Sequence, residues 1–345
     1  MKRQMFFVSS LAVLSMILAG CAAPTPAVVT QVVVQTAAPI VQTQVVVQTA
    51  APIVETQVVV QTQVVQATAV PPTAAPAMPT AVVQLPTGAV SQPGKLLICT
   101  DFPYPPQEYY DEQGVPQGLD VEIGTEIATR LGVKVEFVNS VFDTIIAAVK
   151  AGKCDIIVSA QNITTDRKKQ VSMIPYFQAG QSMVAAKGNP QSINTTDDLC
   201  GKSAAAESGT TEADFLSGTG DYKGKGLTQK CTSAGKKPID VVVTQKDTDA
   251  LQQLQAGKVA VYFADSPVAA YYTVQHPDQF QLVGQIMEPI PEGISVPCGA
   301  DDCTSAPLSP LGQAVHDALK SMMADGAYGK ILGKWNLADG AVTLP

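Results

Sequence analysis

Residues 118–138, GLDVEIGTEIATRLGVKVEFV, predict a helix followed directly by a strand. Ile123, Ile127 and Leu131 recur at the spacing of one helix face, Gly132 ends the helix, and residues 133–138 form the strand. Strands and helices continue to alternate on both sides of this stretch, which predicts an α/β fold. Further strands are predicted at 95–100, 155–159, 236–243 and 259–263, and further helices at 142–151, 247–256 and 311–325.

The N-terminus has the pattern of an export signal. Two basic residues precede an apolar run over residues 5–19, which is too short to span a bilayer comfortably. The run ends in Leu18-Ala19-Gly20-Cys21, which resembles a bacterial lipobox, where the cysteine is lipidated and becomes the mature N-terminus. An uncleaved anchor helix and a chance cysteine are the alternatives. We expect a signal peptide over residues 1–20, lipidation of Cys21, and an extracytoplasmic protein anchored to the outer face of the cytoplasmic membrane.

The next segment is repetitive. Residues 31–43 read QVVVQTAAPIVQT, residues 44–56 read QVVVQTAAPIVET, and a third copy starts at Gln57. From residue 22 to residue 93 the only charged residue is Glu55, and there is no aromatic residue. Such a stretch buries too little surface to offset its ordering entropy, so residues 21–93 are predicted to be a lipidated cysteine and an extended tether. The alternative is a fibrous or adhesive β-stack, because QVVVQ is β-prone and uncharged.

Charge and composition exclude two classes of function. The 345 residues include 22 basic and 30 acidic side chains, which give a formal net charge of −8. Nucleic acid is therefore not an expected partner, since it would be repelled by an acidic surface. The composition is also not that of a membrane-embedded chain. Residues 94–345 carry the acid excess and form the predicted folded segment.

The cysteines are consistent with export. Apart from Cys21 there are six, and an even number in an extracytoplasmic chain predicts disulfides, for which fifteen connectivities are possible. Cys298 and Cys303 are close enough in sequence to close a tight loop, whereas the state of Cys99 and Cys154 is left open. Zinc binding is the alternative, but the two histidines have no ligand-like spacing with a cysteine, so no metal is expected.

Motifs for catalysis or cofactor binding are missing from the sequence. It contains no Gly-x-Ser-x-Gly elbow, no complete phosphate-binding loop and no dinucleotide fingerprint. The two histidines, His276 and His316, occupy ordinary structural positions, and no strong nucleophile stands out. We therefore expect a protein that is not an enzyme and that has no cofactor.

Arginine is scarce in the predicted folded segment, where only Arg130 and Arg167 occur. Arg130 ends the helix quoted above, where its charge suits the helix dipole. Arg167 follows the predicted strand at 155–159, and strand ends are where ligands dock in open α/β sheets. A guanidinium there can bind a carboxylate with two hydrogen bonds. The alternative is a helix residue that pairs with Asp166.

The motif Gly118-Leu119-Asp120-Val121-Glu122-Ile123 resembles the signature of family 3 bacterial extracellular solute-binding proteins. The resemblance covers residues 94–345 in order and ends in DGAYGKIL over residues 325–332. It implies a polar amino-acid receptor of an ABC importer with a type II periplasmic-binding-protein fold, in which two crossover strands join two lobes. Lobe 1 would hold about residues 94–186 and 290–345, and lobe 2 about residues 187–289. The crossovers are expected near 184–187 and 285–294.

The resemblance also implies roles for individual residues. In lobe 1, Asp101 and Tyr104 would line the wall of the cleft, and Phe142 with Tyr104 would hold the ligand side chain between two rings. The groups that would receive the ligand carboxylate are those of Ala160, Asn162, Arg167 and Thr211. Thr210, in the same Gly209-Thr210-Thr211 turn, is a further predicted ligand-binding residue. Asp265 would accept the α-ammonium, although a strand-end Asp also often caps the next helix. A disulfide between Cys200 and Cys231 is implied as well.

The sequence departs from the family pattern at Gln107, where an aromatic residue is usual, and at Asn162, where Ser or Thr is commoner. These departures affect the selectivity for the ligand side chain. Asp101 suits a cationic side chain, with Tyr104 and Phe142 as flat faces beside it. The alternative is that Asp101 hydrogen-bonds its own turn.

The resulting expectation is a monomeric, lipid-anchored receptor that binds a free polar amino acid between its lobes and delivers it to an ABC permease. The alternatives are a sensor domain for a membrane signalling protein, a lyase on the same fold, and an adhesive role of the repeats. A lyase would need an acid–base pair in the cleft, and the sequence shows no clear one.

Overall fold

The computed structural model describes residues 43–46 and 59–62 as strands and residues 83–344 in full. The predicted signal peptide and Cys21 lie outside the described residues. Within the part of the chain that is described, no helix is long and apolar enough to cross a membrane.

Two short strands come from the repeats. They are β1 (Thr43–Val46) and β2 (Val59–Thr62), and they pair antiparallel with Thr43 opposite Thr62. Both are built from the valine and glutamine stretch of the repeat, which favours extended backbone. The start of the second copy, together with Thr43 at the end of the first, therefore pairs with the third copy, a contact that the tether interpretation did not include.

The region over residues 83–344 contains ten strands and nine α-helices. The strands are β3 (Lys95–Thr100), β4 (Tyr109–Tyr110), β5 (Pro116–Gln117), β6 (Lys134–Asn139), β7 (Ile156–Ile157), β8 (Ser172–Ala186), β9 (Ser203–Glu207), β10 (Asp240–Thr244), β11 (Val261–Asp265) and β12 (Phe280–Val296). The helices are α1 (Leu119–Arg130), α2 (Ile145–Lys150), α3 (Thr165–Gln170), α4 (Thr211–Ser217), α5 (Leu227–Ser233), α6 (Asp247–Gln255), α7 (Ser266–Gln275), α8 (Pro310–Asp325) and α9 (Ala327–Lys334).

Eight of these strands form one sheet in the order β10-β9-β11-β8-β12-β7-β3-β6, and β4 pairs with β5 separately. On one side β3 is parallel to β6 and β7, and on the other β9 is parallel to β10 and β11. The long strands β8 and β12 pair antiparallel in the middle and belong to both sides. This arrangement is the predicted α/β fold of two lobes joined by two crossover strands.

Each lobe has its own core. In lobe 1, side chains alternate across β3, so that Leu96 and Ile98 pack with α1 and α8 while Leu97 and Cys99 pack with α2 on the opposite face. In lobe 2, α4 and α5 cover one face of the sheet, and α6 and α7 cover the other. Each lobe thus has helices on both faces of its part of the sheet.

The crossovers lie where β8 and β12 pass from one core to the other. On β8, Ala179 packs in the core of lobe 1 and Met183 in that of lobe 2. The first crossover therefore precedes its predicted position at 184–187, because Val184 and Ala185 are already buried in lobe 2. On β12 the passage from the core of lobe 2 to that of lobe 1 lies between Val283 and Ile294, as predicted.

All six cysteines of the described region form disulfides. Cys298–Cys303 closes the tight loop that its spacing predicted, and Cys200–Cys231 joins the start of lobe 2 to α5, as the family resemblance implied. The pair left open is bonded too, since Cys99 on β3 is linked to Cys154 before β7, across a separation of 55 residues.

Candidate functional site

A narrow cavity lies between the two lobes and contains seven of the nine predicted ligand-binding residues. Its lining consists of Asp101, Tyr104, Glu108, Phe142, Ser159, Ala160, Asn162, Glu207, Thr210, Glu212 and Asp265. The other two predicted residues, Arg167 and Thr211, line an adjoining recess that shares Phe142 with the cavity. The fold thus brings all nine residues to one cleft.

Arg167 lies in α3, where the Thr164 side chain caps the first turn by accepting a hydrogen bond from the Arg167 amide. Its buried guanidinium donates to the Asn162 carbonyl and, across the cleft, to the Gly209 carbonyl, each at 2.8 Å. The guanidinium carbon also lies 5.2 Å from the centre of the Phe142 ring. Burial lowers the pKa of Arg167, but arginine stays charged at physiological pH.

The alternative role for Arg167, pairing with Asp166, is wrong. Asp166 binds Lys169 instead, at 2.8 Å on the exposed face of α3. Two of the five N–H groups of the Arg167 guanidinium donate to backbone carbonyls, and the others can donate to a ligand carboxylate.

Asp265 is the last residue of β11 and is buried in the wall of lobe 2. The Tyr104 hydroxyl donates to its Oδ2 at 2.9 Å and accepts its backbone N–H at 3.0 Å. Its Oδ1 is buried without a partner. The Asp265 side chain makes no capping hydrogen bond to α7, so the alternative that it caps this helix is wrong. Burial, reinforced by the nearby Glu212, raises the pKa of Asp265 well above its usual value.

The two threonines of the 209–211 turn have different tasks. The Thr210 hydroxyl caps α4 by accepting from the Ala213 amide at 3.2 Å, and it donates to the Glu207 carbonyl. The Thr211 hydroxyl donates to Asn162 Oδ1 at 2.6 Å, across the cleft. Thr211 and Asn162 therefore link the lobes, while Thr210 mainly sets the shape of the turn.

Ala160 differs from its predicted role. Its backbone lies in the left-handed region, with φ of 42°, and its N–H donates to Asp120 Oδ2 at 2.7 Å. The predicted donation from this N–H to a ligand carboxylate is therefore wrong for this arrangement, because the buried Asp120 already accepts it. Ala160 still lines the cavity.

Asp101 is held by both lobes. Its Oδ2 accepts the backbone N–H of Phe142 at 2.8 Å, and its Oδ1 forms an ion pair with the Lys246 ammonium from lobe 2. The carboxylate is therefore already paired with a cation of the protein, and its role towards a cationic ligand side chain stays a prediction. None of these contacts of the Asp101 side chain lies within its own turn, which was the alternative.

Three acids of the cavity were missed from the sequence: Glu108, Glu207 and Glu212. Each is buried and has one side-chain oxygen without a partner. Burial raises the pKa of all three, that of Glu207 to about 10. The available signals were weak: Glu207 ends the short apolar run Ser203–Glu207, and Glu212 directly follows the threonine turn. With Asp101 and Asp265, five acids line the cavity.

The unusual Gln107 lies behind the cavity. Its buried amide donates to Glu292 Oε2 at 3.0 Å, and Glu292 also accepts from the Tyr176 hydroxyl. The same hydroxyl lies 2.6 Å from Asp120 Oδ1. Gln107 therefore gives a buried carboxyl group a hydrogen-bond donor, which the side chain of a phenylalanine could not do.

Several contacts hold the lobes closed over the cavity. Besides those of Arg167 and Lys246, the Asp221 carboxylate of lobe 2 accepts the backbone N–H of Thr165 in lobe 1 at 2.7 Å. Gly209 has φ of 78°, and a Cβ there would lie 2.7 Å from the Asp143 Cα of lobe 1. Only a glycine allows the lobes to approach this closely.

A family model for bacterial extracellular solute-binding proteins, family 3, matches residues 96–338. The chain belongs to this family. Within it, the L-cystine-binding protein TcyJ of Escherichia coli (strain K12) is 25% identical over 251 residues, which cover 72% of this chain and 85% of that protein. The lysine/arginine/ornithine-binding periplasmic protein of the same organism is 28% identical over 249 residues, which cover 70% and 88%.

Among solved structures, an ancestral arginine-binding protein bound to arginine is 34% identical, with a TM-score of 0.61. The match covers 70% of this chain and 98% of the chain of the ancestral protein. A structure of an ancestral arginine-binding protein bound to glutamine matches with the same TM-score. The relatives are thus amino-acid-binding proteins with the same two-lobed fold. Among residues 83–344, no group of three or more His, Cys, Asp or Glu side chains is arranged to hold a metal ion.

Proposed function

We propose that this protein is an extracytoplasmic, lipid-anchored receptor that binds a free polar amino acid between its lobes and delivers it to an ABC import permease. The observation that carries the proposal is the pair formed by Arg167 and Asp265. One is a buried cation of lobe 1 and the other a buried acid of lobe 2, and both face the same cleft. A zwitterion leaves water at low cost only where opposite charges and directed hydrogen bonds meet both its ends.

Binding would close the lobes because the ligand bridges them. The carboxylate accepts hydrogen bonds from Arg167 of lobe 1 and, once the Thr211 hydroxyl turns from Asn162 Oδ1 to the ligand, from Thr211 of lobe 2. The α-ammonium donates to Asp265, whose Oδ1 is buried without a protein partner. A ligand that binds both lobes at once favours the closed form over the open one, and the closed form is the signal to the permease.

Calorimetric titration of the full chain with the twenty amino acids tests the function. We expect tight binding of a polar amino acid, loss of binding in Arg167→Ala, and an unchanged melting temperature to within a few degrees. Lys168→Ala, which removes an exposed cation of the same helix, is the control and should bind normally. Retention of micromolar affinity by Arg167→Ala would refute the site assignment.

Anchoring and delivery need separate tests. Metabolic labelling with a fatty acid should mark the wild type and not Cys21→Ala, and the variant should leave the membrane fraction. An uptake assay with the matching permease deleted distinguishes import from the alternative of a sensor domain. Uptake that is independent of any permease would contradict delivery.

A lyase on the same fold is the second candidate function, because the cavity does hold protonatable acids. Glu207 and Glu212 are buried in its wall with raised pKa values, and such groups can act as general acids. The sequence had shown no such pair. Incubation of the protein with candidate hydroxy and amino acids, followed by mass spectrometry, would reveal turnover, and its loss in Glu212→Gln would favour the lyase.

A further inference from the structure

Asp221 of lobe 2 contacts the helix of lobe 1 that carries Arg167. Its Oδ2 accepts the backbone N–H of Thr165 at 2.7 Å, and its Oδ1 accepts that of Asp166 at 3.3 Å. Thr165 and Asp166 are the first two residues of α3, where the N–H groups have no acceptor within the helix itself. A side chain of one lobe thus supplies hydrogen-bond acceptors that a helix of the other lobe lacks.

The turn that carries Asp221 is held firmly within lobe 2. The next residue, Tyr222, is buried, and its ring packs on that of Phe215 with 5.0 Å between the ring centres. On the other side of Asp221, the Thr219 N–H donates to the Asp214 carbonyl at 3.2 Å, and the Thr219 hydroxyl donates to the Asp214 carboxylate. The Asp221 carboxylate is therefore fixed relative to lobe 2, and its contact with α3 depends on how closely the lobes approach.

The first turn of α3 also places Arg167. Thr164, in lobe 1, caps one N–H of this turn, that of Arg167, at 3.2 Å. The buried Arg167 guanidinium extends from the same turn to the Asn162 carbonyl and, across the cleft, to the Gly209 carbonyl. Because α3 has only six residues, it gains little from its own hydrogen bonds and depends on contacts with its surroundings. Whatever fixes the first turn therefore also fixes the guanidinium.

The Asp221 carboxylate is charged when it makes this contact. Burial raises its pKa, but the hydrogen bonds from Thr165 and Asp166 and the charge of Lys169 outweigh burial, so that the pKa lies below its usual value. A hydrogen bond to a charged acceptor is about twice as strong as one between neutral groups. Negative charge is also favourable at the N-terminal end of a helix. The contact therefore stabilises the arrangement in which the lobes meet.

We propose that Asp221 is a positioning residue for amino-acid binding, which holds the first turn of α3 when the lobes close and thereby holds Arg167 in place for the ligand carboxylate. This inference rests on the proposed function, since it assumes that Arg167 binds that carboxylate. Asp221 and α3 belong to different lobes, so opening separates them and the contact stabilises only the closed form. Asp221 lines the adjoining recess and not the cavity, so it should strengthen the binding of every amino acid that the receptor accepts by the same factor.

Calorimetric titration and stopped-flow kinetics on the full chain test this role. Asp221→Ala should lower the affinity for each amino acid that the wild type binds about tenfold, since hydrogen bonds to a charged group are lost. The loss should lie in faster dissociation, with the association rate changed by less than about twofold, because the contact forms only as the lobes close on the bound ligand. Asp278→Ala, which removes an exposed aspartate of lobe 2 between α7 and β12, is the matched control and should bind normally. Without ligand, both variants should melt at the wild-type temperature.

Thr165→Pro tests the contact at the backbone. Proline is favoured at the first position of a helix, and Thr164 has the extended backbone that suits a residue before proline, with φ of −107° and ψ of 163°. The variant lacks the N–H that Asp221 accepts, and its ring would meet the Asp221 carboxylate in the closed form, so it should lower the affinity at least about tenfold. Adding Asp221→Ala makes room for the ring, so the double variant should bind no more weakly than Asp221→Ala alone.

The outcomes separate this inference from the proposed function. If the wild type binds no amino acid, or if Arg167→Ala binds as tightly as the wild type, the proposed function fails. If binding depends on Arg167 but Asp221→Ala keeps the wild-type affinity, only the role of Asp221 is overturned. Losses that multiply in the double variant would also overturn it, since Asp221 and Thr165 would then act independently. So would a lower melting temperature of Asp221→Ala without ligand, because the residue would then act within lobe 2 alone.

Discussion

Replacing Gly209 by alanine should weaken amino-acid binding by opposing closure of the lobes. Gly209 has φ of 78°, and a Cβ added to it would lie 2.7 Å from Asp143 Cα and 2.9 Å from Asp143 Oδ1. The positive φ costs about 1–2 kcal/mol for alanine and is present whether the lobes are open or closed. The contact with Asp143 exists only when the lobes are closed.

The closed form therefore carries the whole cost of the steric contact. Overpacking of this kind costs about 1–3 kcal/mol, which corresponds to a loss of affinity of roughly fivefold to hundredfold. Gly257→Ala is a matched control, because Gly257 also has a positive φ, of 67°, but has nothing within 4 Å of its Cβ position. Both variants should lose similar stability, and only Gly209→Ala should lose affinity.

Calorimetry measures the affinity of both variants for the amino acid that the wild type binds, and thermal melts measure their stability. Small-angle scattering with and without ligand adds a direct measure of closure. The ligand should reduce the radius of gyration of Gly257→Ala more than that of Gly209→Ala. Equal affinities of the two variants would refute the reasoning, since they would show that closure does not require the contact at Asp143.

Three further predictions concern the cleft, the pH dependence and the disulfides. Tyr104→Phe removes the hydroxyl that bonds Asp265 twice, so calorimetry should show about a tenfold loss of affinity with the fold intact; unchanged affinity would contradict a positioning role. Burial raises the pKa of Asp247 to about 7, so the folded state keeps a proton that the unfolded chain loses at about pH 4. This one group should therefore lower the stability by up to about 1.4 kcal/mol per pH unit between about pH 4 and 7, and Asp247→Asn should make the fall of the melting temperature over that range shallower. Removal of Cys99–Cys154, by alanine at both positions, should cost about 4 kcal/mol, against about 2 kcal/mol for the disulfide that closes the 5-residue loop; equal denaturant midpoints would contradict this order.

Much of the fold follows from local patterns. The helix predicted from residues 118–138 is α1, and the strand after it is β6. The apolar face identifies the helix, and the glycine at its end marks where the helix stops before the strand begins. The strand predicted at 155–159 is only Ile156–Ile157, since its length depends on neighbours in the sheet. The strand predicted at 236–243 starts at Asp240, after Pro238, whose ring cannot donate to a ladder. The length of β8 was not predicted, because it depends on pairing with the distant β12.

The sequence predicted those site residues whose type or motif points to one specific role. Arg167 was singled out as a scarce arginine that follows a strand, whereas the role of Asp265 was implied by the family resemblance, because a strand-end acid alone is often a helix cap. Lys246 was missed because its partner, Asp101, is 145 residues away in sequence. Glu207 and Glu212 were missed for a related reason, since a glutamate is exposed in most proteins and only the packing of two lobes buries these.

The pairing of β8 with β12 has a consequence for the rate at which the receptor works. The register of this ladder shifts twice between Val283 and Ile290, where the strands pass between the lobes, and once more between Glu292 and Gly293. Opening can then take place by a change of backbone angles in the irregular stretch between Val283 and Ile290, while the hydrogen bonds on either side stay intact. No secondary structure has to melt, so we expect opening and closing on the microsecond to millisecond timescale of hinge motions. Release of the ligand, and not the hinge, would then set the dwell time of each loaded receptor.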